Sequence, residues 1–122
     1  MNNQTQLGFV SLQSIDLEVS KKFYTQVLGF KLLPKSPPDA YLFEEKGGAV
    51  FAIRKPLVDL KEAKKLGWGV SLWFEISDMG AFLHEIKDRA TIIRGVQETP
   101  FGKTVIIADP DGYWLTIQEK IA

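Results

Sequence analysis

Asp16-Leu17-Glu18-Val19-Ser20-Lys21-Lys22-Phe23-Tyr24, closed by Val27-Leu28-Gly29-Phe30, has the make-up of one amphipathic helix delivered into a strand. Asp16 suits an N-cap, because its carboxylate accepts from backbone N–H groups that the first turn leaves unpaired, and Glu18 places charge where the helix dipole favours it. Val19, Phe23 and Val27 recur at helical spacing, and Gly29 supplies the stop. Upstream, residues 8–13 alternate: if extended, Val10 and Leu12 share one face and Phe9, Ser11 and Gln13 the other. Downstream, strands are expected over 30–34, 41–45 and 49–54. Pro37-Pro38-Asp39 marks one turn, and Lys46-Gly47-Gly48 has hairpin chemistry. The first half therefore reads β-α-β-β-β.

The second half repeats the plan. Asp78 is placed like Asp16, ahead of a stripe of Met79, Phe82, Leu83 and Ile86, and Val10-Ser11-Leu12 recurs as Val70-Ser71-Leu72 at a period of about 60 residues. Strands are expected over 70–76, 91–94, 103–108 and 113–118, and Asp59 caps a connecting helix over 59–66 that Gly67 ends. The expected fold class is α+β: one domain over 1–122, made of two βαβββ modules at about 8–55 and 69–119. The repeat implies two curved half-sheets related by a pseudo-twofold axis.

Composition narrows the function. Fifteen basic residues balance fifteen acidic ones, so no global field favours nucleic acid, and the Lys61 to Lys65 cluster, with Glu62 inside it, is expected on a helix surface. The absence of cysteine excludes disulfides, zinc-thiolate sites and thiol nucleophiles by inventory. No run approaches the about 18 apolar residues of a membrane span, so the cytoplasm is the expected compartment. His84, the one histidine, falls on the second helix and is expected at the surface.

Two further pieces complete a pattern: Pro100-Phe101-Gly102, leading to Asp109-Pro110-Asp111-Gly112. The last tetrapeptide alone fits a type I turn, with Asp first, Pro second and Gly fourth. Taken in order with the Asp16 and Leu28 stretches, these pieces resemble the vicinal-oxygen-chelate superfamily, which includes glyoxalase I, bleomycin and fosfomycin resistance proteins and extradiol dioxygenases. The resemblance covers nearly the whole chain and implies a homodimer. In the family the two half-sheets form a cup-shaped mixed sheet with the helices on its outer face, which the resemblance implies here, and metal-dependent members carry ligands on its inner face. Counting back from Asp16 and Asp78, and forward from Gly112, puts those positions at Phe9, Ser71 and Thr116. A phenyl ring and two hydroxyls cannot hold a divalent ion, so no metal or other cofactor is expected, as in the metal-free, bleomycin-resistance-like branch. Gln13, Glu75 and Gln118 lie on the same strand faces and permit a displaced oxygen-ligand site, but one carboxylate and two amides hold a transition metal poorly.

Alternation also names the inner surface. Leu72, Phe74 and Ile76 turn towards the helices, leaving Ser71, Trp73 and Glu75 on the other face. Tyr113, Leu115 and Ile117 do the same for Trp114, Thr116 and Gln118. With Phe9, Ser11 and Gln13 these are the expected ligand-binding residues, and stacked aromatics each add about 0.5 to 1.5 kcal/mol beyond area burial. The expected function is binding of a small aromatic or drug-like molecule, in the manner of antibiotic resistance proteins. The enzymatic alternative is a lyase or other enzyme of the superfamily acting without metal or with a displaced one; its candidate is Glu75, a general base if desolvated beside Trp73. An interaction module, with the aromatics filling a core or a dimer interface, is the third possibility. Trp68 either lines the mouth or anchors the linker. Arg54, Arg94 and Lys103 either favour an anionic group or remain solvated at the surface.

Overall fold

The computed structural model describes residues 3–44 and 50–120, so the expected Lys46-Gly47-Gly48 hairpin lies outside the described residues. The chain divides at Asp59 into two compact units, Met1–Val58 and Asp59–Ala122.

In the first unit, β1 (Phe9–Gln13) leads to α1 (Leu17–Lys22), a π-helical turn (Phe23–Val27), β2 (Lys31–Leu32), β3 (Ala40–Glu44) and β4 (Val50–Arg54). The sheet order is β1-β4-β3-β2, with β1 parallel to β4 and the other pairs antiparallel. Asp16 caps α1 as expected, its carboxylate accepting from Val19 N at 3.2 Å. The buried stripe differs from the expected one. Ser20, Phe23 and Tyr24 are buried, whereas Val19 is 49% exposed, because the face meeting the sheet is an i, i+3, i+4 set starting at Ser20. Tyr24 then packs among Phe51 and Phe43, with ring centroids 5.1 and 5.5 Å away, and the Ser14 and Ser20 hydroxyls satisfy each other at 2.7 Å. β2 is shorter than expected: Phe30 instead sends its ring into this cluster, 4.8 Å from Phe51, and Pro34 ends the extended stretch.

The second unit holds a 3₁₀ turn (Leu60–Glu62), β5 (Leu72–Ile76), α2 (Met79–Ile86), β6 (Thr91–Thr99), β7 (Gly102–Ala108) and β8 (Trp114–Glu119). Its sheet order, β5-β8-β7-β6, repeats the first: opening strand parallel to closing strand, the remainder antiparallel. Asp78 caps α2 through Ala81 N at 3.0 Å, so Asp16 and Asp78 stand at equivalent helix starts. The result is an α+β fold built on two four-stranded mixed sheets. Val105, Ile107, Leu115 and Ile117, each nearly inaccessible, form the core of the second sheet with Met79 and Ile86 of α2. Each such side chain contributes about 1.5–3 kcal/mol by burial.

Three expectations change here. The connecting helix over 59–66 is only the 3₁₀ turn: Asp59 caps it through Lys61 N, but the chain leaves helical geometry at Ala63, so Lys64 and Lys65 lie in a loop and not on a helix surface. The strand expected over 70–76 begins at Leu72, because Gly67 and Gly69 take positive φ and Val70 N closes a turn onto Gly67 O at 2.9 Å. β6 is more than twice the expected length and carries register shifts between Ile92 and Gln97, a device that twists an edge strand away from further pairing. Among the described residues, no helix is long and apolar enough to cross a membrane.

Candidate functional site

Ladder partners in a sheet share a face, so the register of the second unit fixes what each face presents. Leu72 pairs with Leu115 and Phe74 with Ile117 on the side that packs inward. Trp73 pairs with Thr116 and Glu75 with Gln118 on the opposite side, and Trp114, two residues before Thr116, shares it. β7 continues that face with Ala108, Ile106 and Thr104, the partners of Trp114, Thr116 and Gln118. Trp73 is 47% exposed and Trp114 43%, a large aromatic area for one sheet face.

Two residues that sequence reasoning left out of the site complete it. Phe101, in the turn between β6 and β7, meets Trp73 edge-on at 6.2 Å between ring centroids, with an interplanar angle of 86°. Its signal was present in Pro100-Phe101-Gly102, a motif read only for its family pattern. Lys65 lies with its Nζ 3.3 Å from the centre of the Trp114 ring, a cation–π contact from the loop that replaces the expected helix. Gln118 Nε2 donates to Phe101 O at 2.5 Å and so ties β8 to the turn that carries the third ring.

The other expected residues are more scattered. Ser71 is exposed one residue before β5 and holds no ladder position. Glu75 is exposed, so burial, the condition for its role as a general base, is not met. In the first unit, Phe9, Ser11 and Gln13 share the face of β1 opposite Val10 and Leu12, with Phe9 52% exposed. The Gln13 side-chain oxygen accepts from Leu57 N at 2.6 Å and Val58 N at 3.3 Å, which makes it a tether for the segment leaving β4. That engagement also removes one oxygen from any displaced metal site. Among the described residues no three His, Cys, Asp or Glu side chains gather, and Phe9, Ser71 and Thr116 offer no ligand set for a divalent ion. Among the described residues, the donors at these positions do not fit a metal.

Trp68 is 73% exposed, and His84 is exposed on α2. An open polar cleft of about 720 Å³ lies elsewhere in the second unit, among Asp78, Glu98, Thr99, Lys103, Glu119 and Lys120. Two of its carboxylates are already committed to the start of α2, Asp78 to Ala81 N and Glu119 to Met79 N at 2.6 Å, and its charges are mixed. It is a helix-capping corner, and none of the aromatic residues reaches it.

Residues 6–117 match the family described as the Glyoxalase/Bleomycin resistance protein/Dioxygenase superfamily. The chain belongs to this superfamily. Solved structures with the superfamily's fold include TnmS3, an antibiotic binding protein from Streptomyces sp. CB03234, at TM-score 0.75 and 22% identity, covering 99% of this chain and 100% of that one. A glyoxalase/bleomycin resistance protein/dioxygenase family enzyme from Burkholderia phytofirmans PsJN superposes at TM-score 0.77 and 18% identity, covering 96% and 100%. A glyoxalase/bleomycin resistance protein from Streptomyces sp. CB03234 gives 0.68 and 24%, covering 91% and 97%. No curated protein matches the sequence. At these identities the likeness is one of fold, and the superfamily's fold serves binders and enzymes alike.

Proposed function

We propose that the protein binds a small aromatic, drug-like molecule on the exposed aromatic face of its second sheet, without a metal. One observation carries this: Trp73 and Trp114 stand half-exposed on the sheet face opposite the core, with Phe101 beside them, where burial would ordinarily claim such rings. A planar ligand stacked there gains about 0.5–1.5 kcal/mol per ring beyond area burial, while Thr116 supplies a polar contact that orients it. TnmS3, described as an antibiotic binding protein, lends the superfamily precedent for a binder. A cytoplasmic homodimer is part of the proposal; the half-exposed Ile92 and Val96 on the edge strand β6 are apolar surface that a second copy would cover.

The test is a panel of small aromatic compounds followed by thermal shift and indole fluorescence. A compound that binds only the folded state stabilises it by about 2.7 kcal/mol at 100 times its dissociation constant. Trp114→Ala is expected to weaken the response, and Phe9→Ala reports whether the first sheet takes part. If no compound shifts the protein, or if the shift survives loss of both Trp73 and Trp114, the function falls. Sedimentation at micromolar concentration tests the dimer.

A further inference from the structure

We propose that Lys65 sets the ligand class of this face, guarding Trp114 against neutral compounds and favouring aromatic ligands that carry an acidic group; this rests on the proposed aromatic-binding function. Lys65 Nζ sits 3.3 Å from the centre of the Trp114 ring. A stacked ligand needs the same place, because aromatic carbons approach one another at about 3.5–4.0 Å. Ligand and ammonium cannot share one face, so stacking on it displaces Lys65.

The fate of the displaced ammonium separates the ligand classes. The Lys65 side chain is exposed, projects from a loop, and among the described residues forms no ion pair, so its four-carbon stem is free to swing to the rim of the stacked ring. A neutral ligand leaves the ammonium with water only, and the lost cation–π contact counts against binding. A ligand with a carboxylate or sulfonate at its edge gives the ammonium a partner within reach. The carboxylate on this face does not cancel the effect. Glu75 pairs with Gln118, four residues along β8 from Trp114 and so roughly 13 Å away, beyond the Debye length of about 8 Å at physiological salt.

The experiment compares two matched probes, 2-naphthoate and its neutral amide 2-naphthamide, by indole fluorescence titration of the wild type, Lys65→Met and Lys65→Glu. The wild type is expected to prefer the acid. Lys65→Met should tighten the amide about two- to fivefold, the range an exposed cation–π contact implies, and leave the acid no tighter than before, so that the preference collapses. Lys65→Glu should reverse it. Equal tightening of both probes would make Lys65 a mere obstacle and overturn the assignment, as would identical affinities in all three proteins. If neither probe binds any of the three, the aromatic-binding function itself fails, an outcome distinct from binding without discrimination.

Discussion

Asp109 shows how a residue expected only to make a turn comes to hold one together. Its side chain is buried, and one carboxylate oxygen accepts from Asp111 N, Gly112 N and Tyr113 N at 2.9–3.0 Å. Replacing it leaves three aligned donors without their charged acceptor. Asp109→Ala is expected to cost about 2–3 kcal/mol, read as a lower urea midpoint at unchanged slope. A second residue-scale case is electrical. The Tyr41 hydroxyl donates to Glu18, which holds the Glu18 carboxyl below its usual value and raises the Tyr41 phenol above 10.0. Glu18, with a lowered folded-state pKa, adds stability that is present at neutral pH and lost as pH falls through the carboxylate range. Tyr41, with a raised one, adds stability that is present below pH 10 and lost as pH rises through its raised value. Tyr41→Phe should return the Glu18 titration, followed by NMR at its side-chain carboxyl, upwards; an unmoved titration would mean that Lys21, 3.6 Å away, governs it instead.

At the scale of elements, the linker between Asp59 and β5 is the part most changed from expectation. It is shaped by Gly67, whose φ is +72° and whose missing Cβ leaves room for the Tyr113 ring: a methyl there would lie 3.0 Å from Tyr113 Cδ1. Gly67→Ala combines left-handed strain with that contact and is expected to cost about 1–3 kcal/mol. Gly8→Ala, with nothing within 4 Å and no positive φ, is the control, expected to lie near neutral or to stabilise by about 0.4–1 kcal/mol. Comparative thermal denaturation of the two variants checks both. Because this linker also carries Lys65, Gly67→Ala should loosen the cation–π contact as well, visible as a change in indole emission without any ligand.

For the whole molecule, the deciding chemistry is what the superfamily's ligand positions contain. With Phe9, Ser71 and Thr116 at the positions that the resemblance assigns to ligands, the purified protein is expected to carry no stoichiometric divalent ion, and zinc, nickel or manganese should not raise its melting temperature specifically. Elemental analysis decides it. A tightly held ion, released by Glu75→Ala, would instead restore a displaced metal site and a metal-dependent enzyme.

Local rules made most of the backbone legible. Capping chemistry at Asp16 and Asp78, period-two alternation in β1, β5 and β8, and turn residues at Gly29 and Asp109 act over a few residues, so they can be read from neighbours in the chain. The same alternation put Trp73, Glu75, Trp114, Thr116 and Gln118 on one face. Contacts between residues distant in sequence lay outside that reach. Tyr24 and Ser20 displaced Val19 from the buried stripe because the aromatic cluster of β3 and β4 received Tyr24 and the Ser14 hydroxyl received Ser20. The side-chain oxygen of Gln13 was taken by Leu57 and Val58. Phe101 reached Trp73, and Lys65 reached Trp114, across separations that no periodicity records. Secondary structure answers to local sterics and hydrogen bonding, whereas a binding face is composed by tertiary packing, which brings to one ring whichever side chain the folded loop happens to hold above it.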